Sequence, residues 1–217
     1  MSSPSEEPAW KQRAVRRSTQ AAKLRAEQRV QRFLDAAQVI IAEKGSTDFT
    51  VQEVVDRSRQ SLRSFYLHFD GKHELLLALF EDALSTTADQ LRAAAGGHED
   101  PVDRLKVAVQ LLFELSCLNP AARRPLFTDF APQLLISHPA EVKAANAALL
   151  ALFTELLADA ADGGRLYAGL KPRRVAALIM QTVMFNAQFS GSAADETAHP
   201  LTAEEVWTFC ANGFVQH

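Results

Sequence analysis

The sequence predicts an all-α protein, and three observations carry the prediction. Gly (9) and Pro (9) are sparse in 217 residues, while Ala, Leu, Glu, Gln and Arg dominate, and these residues lose little on entering a helix. No stretch alternates apolar and polar residues at period 2, so no sheet is expected. Between Gly and Pro breaks, apolar residues recur at spacings of three and four, the mark of a helix with one buried stripe.

The elements follow in order. Residues 1–22 are polar at first and then basic, and are expected to form a flexible or partly helical arm. Lys23 to Lys44 reads as an amphipathic helix, with Val30, Phe33, Leu34, Ala37, Ile40 and Ile41 on one stripe and Gly45 closing it. Thr50-Val-Gln-Glu53 is a capping box, and Phe49 before it can staple onto Val54. The helix so started is short, ending near Arg57. Ser58-Arg59-Gln60 form a turn. Ser61 caps a second short helix, and Asp70 is expected to cap a third, from Gly71 to about Ala95. Two short helices joined by a turn of this length make a helix-turn-helix pattern.

Beyond Gly96 the breaks define five more helical stretches. They run from Val102 to about Leu118, from Arg124 to about Ser137 with Pro132 inside it, and from Pro139 to Asp162. The last two run from Pro172 to Gly191 and from the capping box Thr202-Ala-Glu-Glu205 to the C-terminus. Three segments result: an arm over 1–22, a helix-turn-helix domain over 23–75, and a helical bundle over 76–217.

Several function classes drop out. Cys117 and Cys210 stand alone, so neither a disulfide framework nor a Cys-x-x-Cys metal site is present, which suits a reducing cytoplasm. No apolar run approaches the ~18 residues a membrane span requires, and the N-terminus lacks a signal peptide's segments. No Ser/His/Asp or Cys/His set, carboxylate pair or glycine-rich phosphate loop stands at usable spacing. No enzyme, catalytic residue, metal or cofactor is expected.

Charge is unevenly placed. From Trp10 to Arg32 eight basic residues face one acid, Glu27, giving +7 in a chain of net −3 and leaving −10 on the remainder. A basic arm on an acidic body suggests a polyanionic partner.

The chemistry of the helix-turn-helix stretch points to DNA. A helix in the major groove reads bases from near its N-terminus. Arg63 can pair bidentately with guanine and Gln60 with adenine. Ser61 and Ser64 are short donors for phosphate or base, and Thr50 stands at a helix end that favours an anion. Tyr66, His68 and Lys72 lie where a hydroxyl, a ring N–H and an ammonium can grip the backbone. Arg16 and Arg17 of the arm, with Arg25 just beyond it, can add contacts, including in a neighbouring minor groove.

The runs FLDAAQVIIAEKG, FTVQEVV and SLRSFYLHFDGKHELLLALF resemble the DNA-binding domain of the tetracycline-repressor (TetR) family. The specific part is Phe65-Tyr66-x-His68-Phe69 followed by Lys72-x-Glu74-Leu75-Leu76. The resemblance covers residues 30–80 with strong motifs. It implies about nine helices, a homodimer through the last two, a ligand pocket in the C-terminal domain, and DNA contacts at Thr50, Ser61, Ser64, Tyr66, His68 and Lys72. The turn departs from the family: Ser58-Arg59-Gln60 replaces Ala-Gly-Val, putting Arg59 where a positive φ is common and leaving Gln60 free to touch DNA. Arg63 replaces a small residue, so an unusual operator is expected.

In similar proteins the ligand cavity is surrounded by helices whose counterparts here carry Phe113, Cys117, Phe127, Phe130, Leu134, Phe153, Met180 and Met184. Few charges fall on these faces, so the expected effector is a small, mostly apolar molecule. Val183, Phe185, Phe189, Trp207, Phe209 and Phe214 offer more apolar surface than one small domain must bury, which suits a dimer interface. A dimer would set two reading helices roughly 34–36 Å apart on a palindromic operator. The expected protein is therefore a dimeric cytoplasmic repressor released from double-stranded DNA by its effector. The alternative is a regulator of the same fold with no small ligand, controlled by a protein partner or its own concentration.

Overall fold

A computed structural model describes residues 8–117, 130, 131, 134, 137–190 and 201–216, apart from the side chains of residues 9, 12 and 188–190. The described residues form nine helices and no strand. The chain divides into two compact units, Met1–Leu75 and Leu76–His217.

The first unit begins with α1 (Ala9–Lys44), 36 residues long. The arm, expected to be flexible or partly helical, is helical over its described length and continuous with the helix expected from Lys23. The physical reason is compositional: Ala9–Lys44 contains neither Gly nor Pro and is rich in Ala, Arg, Gln and Lys, all strong helix formers. Gly45 ends it in the left-handed region (φ 61°), its N–H bonded to Ile41 O. The buried stripe starts only at Phe33 and continues through Leu34, Ala36, Ala37, Ile40 and Ile41. Against it packs α2 (Val51–Ser58), which buries Val54 and Val55. Next comes α3 (Leu62–Tyr66), five residues long.

An aromatic cluster centres this unit. Phe65 is fully buried. Its ring stands edge-on to Phe33 at 5.4 Å and lies tilted to Phe69 at 5.3 Å, while Phe33 meets Phe69 at 6.2 Å. Leu62 and Tyr66 of α3 are exposed.

α4 (Lys72–Ala95) follows. Asp70 was expected as its cap. The bond present runs the other way, from the Asp70 N–H to the Glu74 carboxylate at 2.5 Å.

In the second unit, α5 (Pro101–Ser116) is capped by Asp100, whose carboxylate accepts from the N–H groups of Val102 and Asp103. The single helix expected from Pro139 to Asp162 is two, α6 (Pro139–Ala145) and α7 (Ala147–Asp162), bent by 52°. Asn146 marks the bend: its side-chain amide donates to Val142 O at 2.8 Å, the local bonding by which Asn competes with a regular helix. α8 (Pro172–Ser190) and α9 (Ala203–Asn212) complete the set, the latter opened by the Thr202–Glu205 capping box.

The core of this unit is α7 and α8 packed on each other and on α5, with α9 against α5. An isolated antiparallel bridge, Leu166 to Val215, ties the chain end to the turn after α7. Cross-element pairs such as Arg104–Asp159 (3.1 Å) and Lys106–Glu204 (2.9 Å) lie at the surface, where such pairs orient elements more than they hold them. No single described helix is long and apolar enough to cross a membrane. Pro132 and most of the helix expected over 124–137, Phe127 and Arg124 included, lie outside the described residues.

Candidate nucleic-acid interface

The site is built from the two caps and the turn between them. At the first cap, the Thr50 hydroxyl accepts from the Glu53 N–H at 3.2 Å, and Glu53 Oε2 accepts from the Thr50 N–H at 2.7 Å and hydroxyl at 3.0 Å. Lys44 Nζ stands 2.6 Å from the other Glu53 oxygen. The anion at this helix end is therefore Glu53 itself. Its pKa is lowered to about 2, chiefly by the Lys44 bond and then by Thr50. A phosphate approaching Thr50 must share or replace these bonds, so the helix end is less open than the sequence suggests.

The cap carries a pH prediction. A depressed carboxylate contributes stability above its ordinary value of 4.5, and that contribution is lost as pH falls from there towards 2. The urea midpoint of the protein should fall over this range, and Glu53→Gln should remove part of the fall. An identical pH profile in the variant would show that the cap does not act this way.

The second cap is simpler. Ser61 accepts from the Ser64 N–H at 3.1 Å and starts α3. Between the caps, Arg59 sits at φ 55°, ψ 36°, the only described non-glycine residue with positive φ. Its Cβ is crowded there, at a cost of about 1–2 kcal/mol. Arg59→Gly should therefore raise stability, by about 0.5–1 kcal/mol after allowing for glycine's looser unfolded state. A lower urea midpoint in that variant would show that Arg59 makes compensating contacts.

The arginines of this region fall into two sets. Arg57 is committed: its guanidinium forks onto the Glu43 carboxylate at 2.9 and 2.5 Å, joining α2 to α1. This bond is the main reason that the Glu43 pKa is lowered and the Arg57 pKa raised. Arg59 and Arg63 are exposed and make no ion pair among the described residues. Arg63 is the second residue of α3, the position from which a reading helix reaches bases.

The remaining candidates separate. Tyr66 is 54% exposed and keeps its ring edge-on to Phe65 at 5.4 Å. Lys72 is half-buried, with its ammonium 4.9 Å from the Phe49 ring centre. Gln60, expected to be free, is half-buried and donates to its neighbour's Arg59 carbonyl at 3.3 Å. Ser64 and His68 depart furthest: Ser64 Oγ and His68 Nε2 are both buried without a hydrogen-bond partner. These two atoms face inward, because α3 turns its Phe65 side into the aromatic core and takes its neighbours' inner atoms with it. The outward set is thus Thr50, Ser61, Arg63 and Tyr66, with Arg59, which the motif alone did not single out.

On α1, Arg16, Arg17 and Arg25 are exposed, with Arg25 Nε donating to Ala21 O at 3.1 Å.

In the second unit, Phe113, Phe130, Leu134, Phe153 and Met180 are interior, and Cys117 and Met184 half-buried. Burial pushes the thiols of Cys117 and Cys210 up. Three residues expected at a dimer interface are core instead: Val183 is fully buried, and Trp207 and Phe214 pack edge-on at 6.1 Å. Phe185 and Phe209 are exposed, at 63% and 73%, and Leu178 joins them at 63%. The reason is that α8 is apolar on two faces. Ala176, Ile179, Met180, Val183 and Ala187 fill the inward face, while Leu178 and Phe185, seven residues apart, share the outer one. The Phe189 side chain lies outside the described residues.

The first unit is thus a capped helix-turn-helix with outward arginines, and the described elements of the second are helices. Residues 33–79 match the profile of bacterial regulatory proteins of the tetR family. Over these residues the head resembles those of that family. A relative from Bacillus subtilis (strain 168), the uncharacterized HTH-type transcriptional regulator YvdT, is 33% identical over 70 residues, 32% of this chain. The match spans only 36% of that relative's length.

Two solved structures share the fold over most of the chain. The fatty acid degradation regulator FadR from Bacillus halodurans has a TM-score of 0.63 at 23% identity, covering 85% of this chain and 95% of that one. FadR from Thermus thermophilus, a repressor in complex with lauroyl-CoA, has a TM-score of 0.64 at 22% identity, covering 82% and 90%.

Proposed function

We propose that this chain is a homodimeric transcriptional repressor that binds a palindromic operator and is released by a mostly apolar small-molecule effector. The observation that carries the DNA-binding part is α3 itself. It is a short helix, held by the Ser61 cap and by Phe65, that offers Arg63 outward with no carboxylate to neutralise it. TetR-family proteins are DNA-binding regulators, not enzymes, and the head is of that kind. Thr50, Ser61, Tyr66 and Lys72 are the proposed phosphate contacts around it.

The effector reading is supported by the second unit's interior. No described polar residue of the second unit is buried as a whole, and its one described buried polar atom without a partner is Arg104 Nε. An apolar interior favours a ligand with a large apolar part, because burying an unpaired charge is costly. The lauroyl-CoA held by the Thermus thermophilus neighbour supports the same class. Phe113, Phe130, Leu134, Phe153 and Met180 are the proposed lining, with Cys117 and Met184 at its margin. The exposed Leu178, Phe185 and Phe209 support pairing of α8 and α9 across a two-fold axis into a four-helix interface.

The experiment is release of the protein from an operator chosen from random duplexes, in the presence of acyl-CoA thioesters of graded chain length. Release should strengthen with chain length, reflecting a coupling of about 1–3 kcal/mol. Operator affinity indifferent to every thioester, with no thermal shift, would favour a regulator without a small ligand.

A further inference from the structure

The first 20 or so residues of α1 have no explanation in the folding of the head. None of the described residues before Phe33 is buried. Only Ala26 and Val30 are even half-buried. A helix projecting for ~20 residues, about 30 Å, gains nothing from packing, and isolated helices of this length are marginal.

Its charges make the helix harder to keep. Arg13 stands three and four residues from Arg16 and Arg17, and Arg29 stands four from Arg25 and three from Arg32. Like charges at these spacings repel on a helix surface. The lone acid, Glu27, lies 3.7 Å from Lys23 and offsets one charge. Arg13, Arg16, Arg17 and Arg29 have no carboxylate partner among the described residues. Such a rod calls for a polyanion.

The arrangement of the cations says which kind. At about 100° per residue, Arg13, Arg16 and Arg17 centre on one side of the helix, and Arg25, Arg29 and Arg32 on another, roughly 130° away. Arg13, Arg16, Arg17 and Gln20 together line one open face of the helix. Two cationic flanks on one rod suit two walls of phosphate, as in a duplex groove. An anionic membrane would require an apolar face. Of the large exposed apolar residues here, Trp10 and Leu24 (about 0° and 320°) flank Arg17 (about 340°) and Val15 (about 140°) lies opposite, so no apolar face stands clear of the cations.

We propose that the N-terminal extension of α1 is a second DNA-binding element, a helical strut that grips the phosphates of duplex DNA without reading its sequence. It rests on the proposed function in that its polyanion is the DNA the head binds. The strut increases affinity for any duplex, and the head chooses among duplexes.

The test compares the full chain with the triple variant R13Q/R16Q/R17Q. The probe is a labelled random-sequence duplex of about four helical turns (~40 bp), and binding is followed against salt. Each lost phosphate contact lowers the slope of log affinity against log salt by about 0.9, so the variant's slope should be shallower by about 2–3. Circular dichroism should show the head still folded, and the sequence motif selected from random duplexes should be unchanged. An unchanged slope would overturn the proposal, and so would arm-dependent binding to phosphatidylserine vesicles with none to duplex. A chain without sequence preference whose slope still depends on the three arginines would instead defeat the head's role and leave the strut standing.

Discussion

Phe65→Ala should unfold the head and abolish operator binding. Phe65 is fully buried, and its ring contacts those of Phe33, Tyr66 and Phe69 at 5.3–5.4 Å. Truncating a buried phenylalanine costs about 3–5 kcal/mol, the lost transfer energy plus the cavity left behind. A whole domain is stable by only about 5–15 kcal/mol, so the variant forfeits a large share. The loss falls where it matters most, because α3 has five residues and cannot persist as an isolated helix. What holds it is the Ser61 cap at one end and this ring beneath it. A urea titration followed by circular dichroism should show an early transition absent from the wild type. Operator binding should fall in step with the unfolded fraction. A variant with the wild-type midpoint would mean that the aromatic cluster does not hold α3.

Arg63→Ala should leave the fold intact and damage recognition. Arg63 is exposed, and no carboxylate competes for it among the described residues. Loss of a bidentate contact to guanine costs about 1–3 kcal/mol, roughly 5- to 150-fold in affinity, and relaxes preference at that base. Affinity for non-cognate duplex should change much less. The two variants thus separate cause from support: Phe65→Ala removes the scaffold and Arg63→Ala removes the contact. Unaltered affinity and specificity in Arg63→Ala would place the reading surface elsewhere.

The parts of the fold legible in the sequence were those set by neighbouring residues. Thr50 and Glu53, or Ser61 and Ser64, lie three residues apart, and their bonds close within one turn of chain. The left-handed turn at Arg59 was legible only through the family resemblance, which implies a glycine position there, and that backbone is kept with arginine in its place. The inward placement of Ser64 Oγ and His68 Nε2 was not legible. It depends on how α3 rolls onto Phe33 and Phe69, a contact between segments some thirty residues apart.

Surface assignment in the second unit failed in a related way. Periodicity marks both faces of α8 as apolar and cannot say which one the chain buries itself. Val183, Trp207 and Phe214 were therefore grouped with Phe185 and Phe209, though they are core. The Glu43–Arg57 and Lys44–Glu53 pairs cross between elements and leave no spacing to notice. At Asn146 a single amide bonded to Val142 splits what periodicity reads as one helix. The extent of helix in the arm was not legible because its charge was weighed and its lack of any helix breaker was not.

The most direct test of the central claim is selection of bound sequences by the full-length protein from a random duplex library. A dimer whose two heads read DNA through Arg63 should enrich a two-fold symmetric motif, with half-sites about one helical turn or a small multiple apart. Each half-site should contain a guanine whose preference is lost in Arg63→Ala. Recovery of sequences with no common motif would contradict the account, as would a motif indifferent to Arg63.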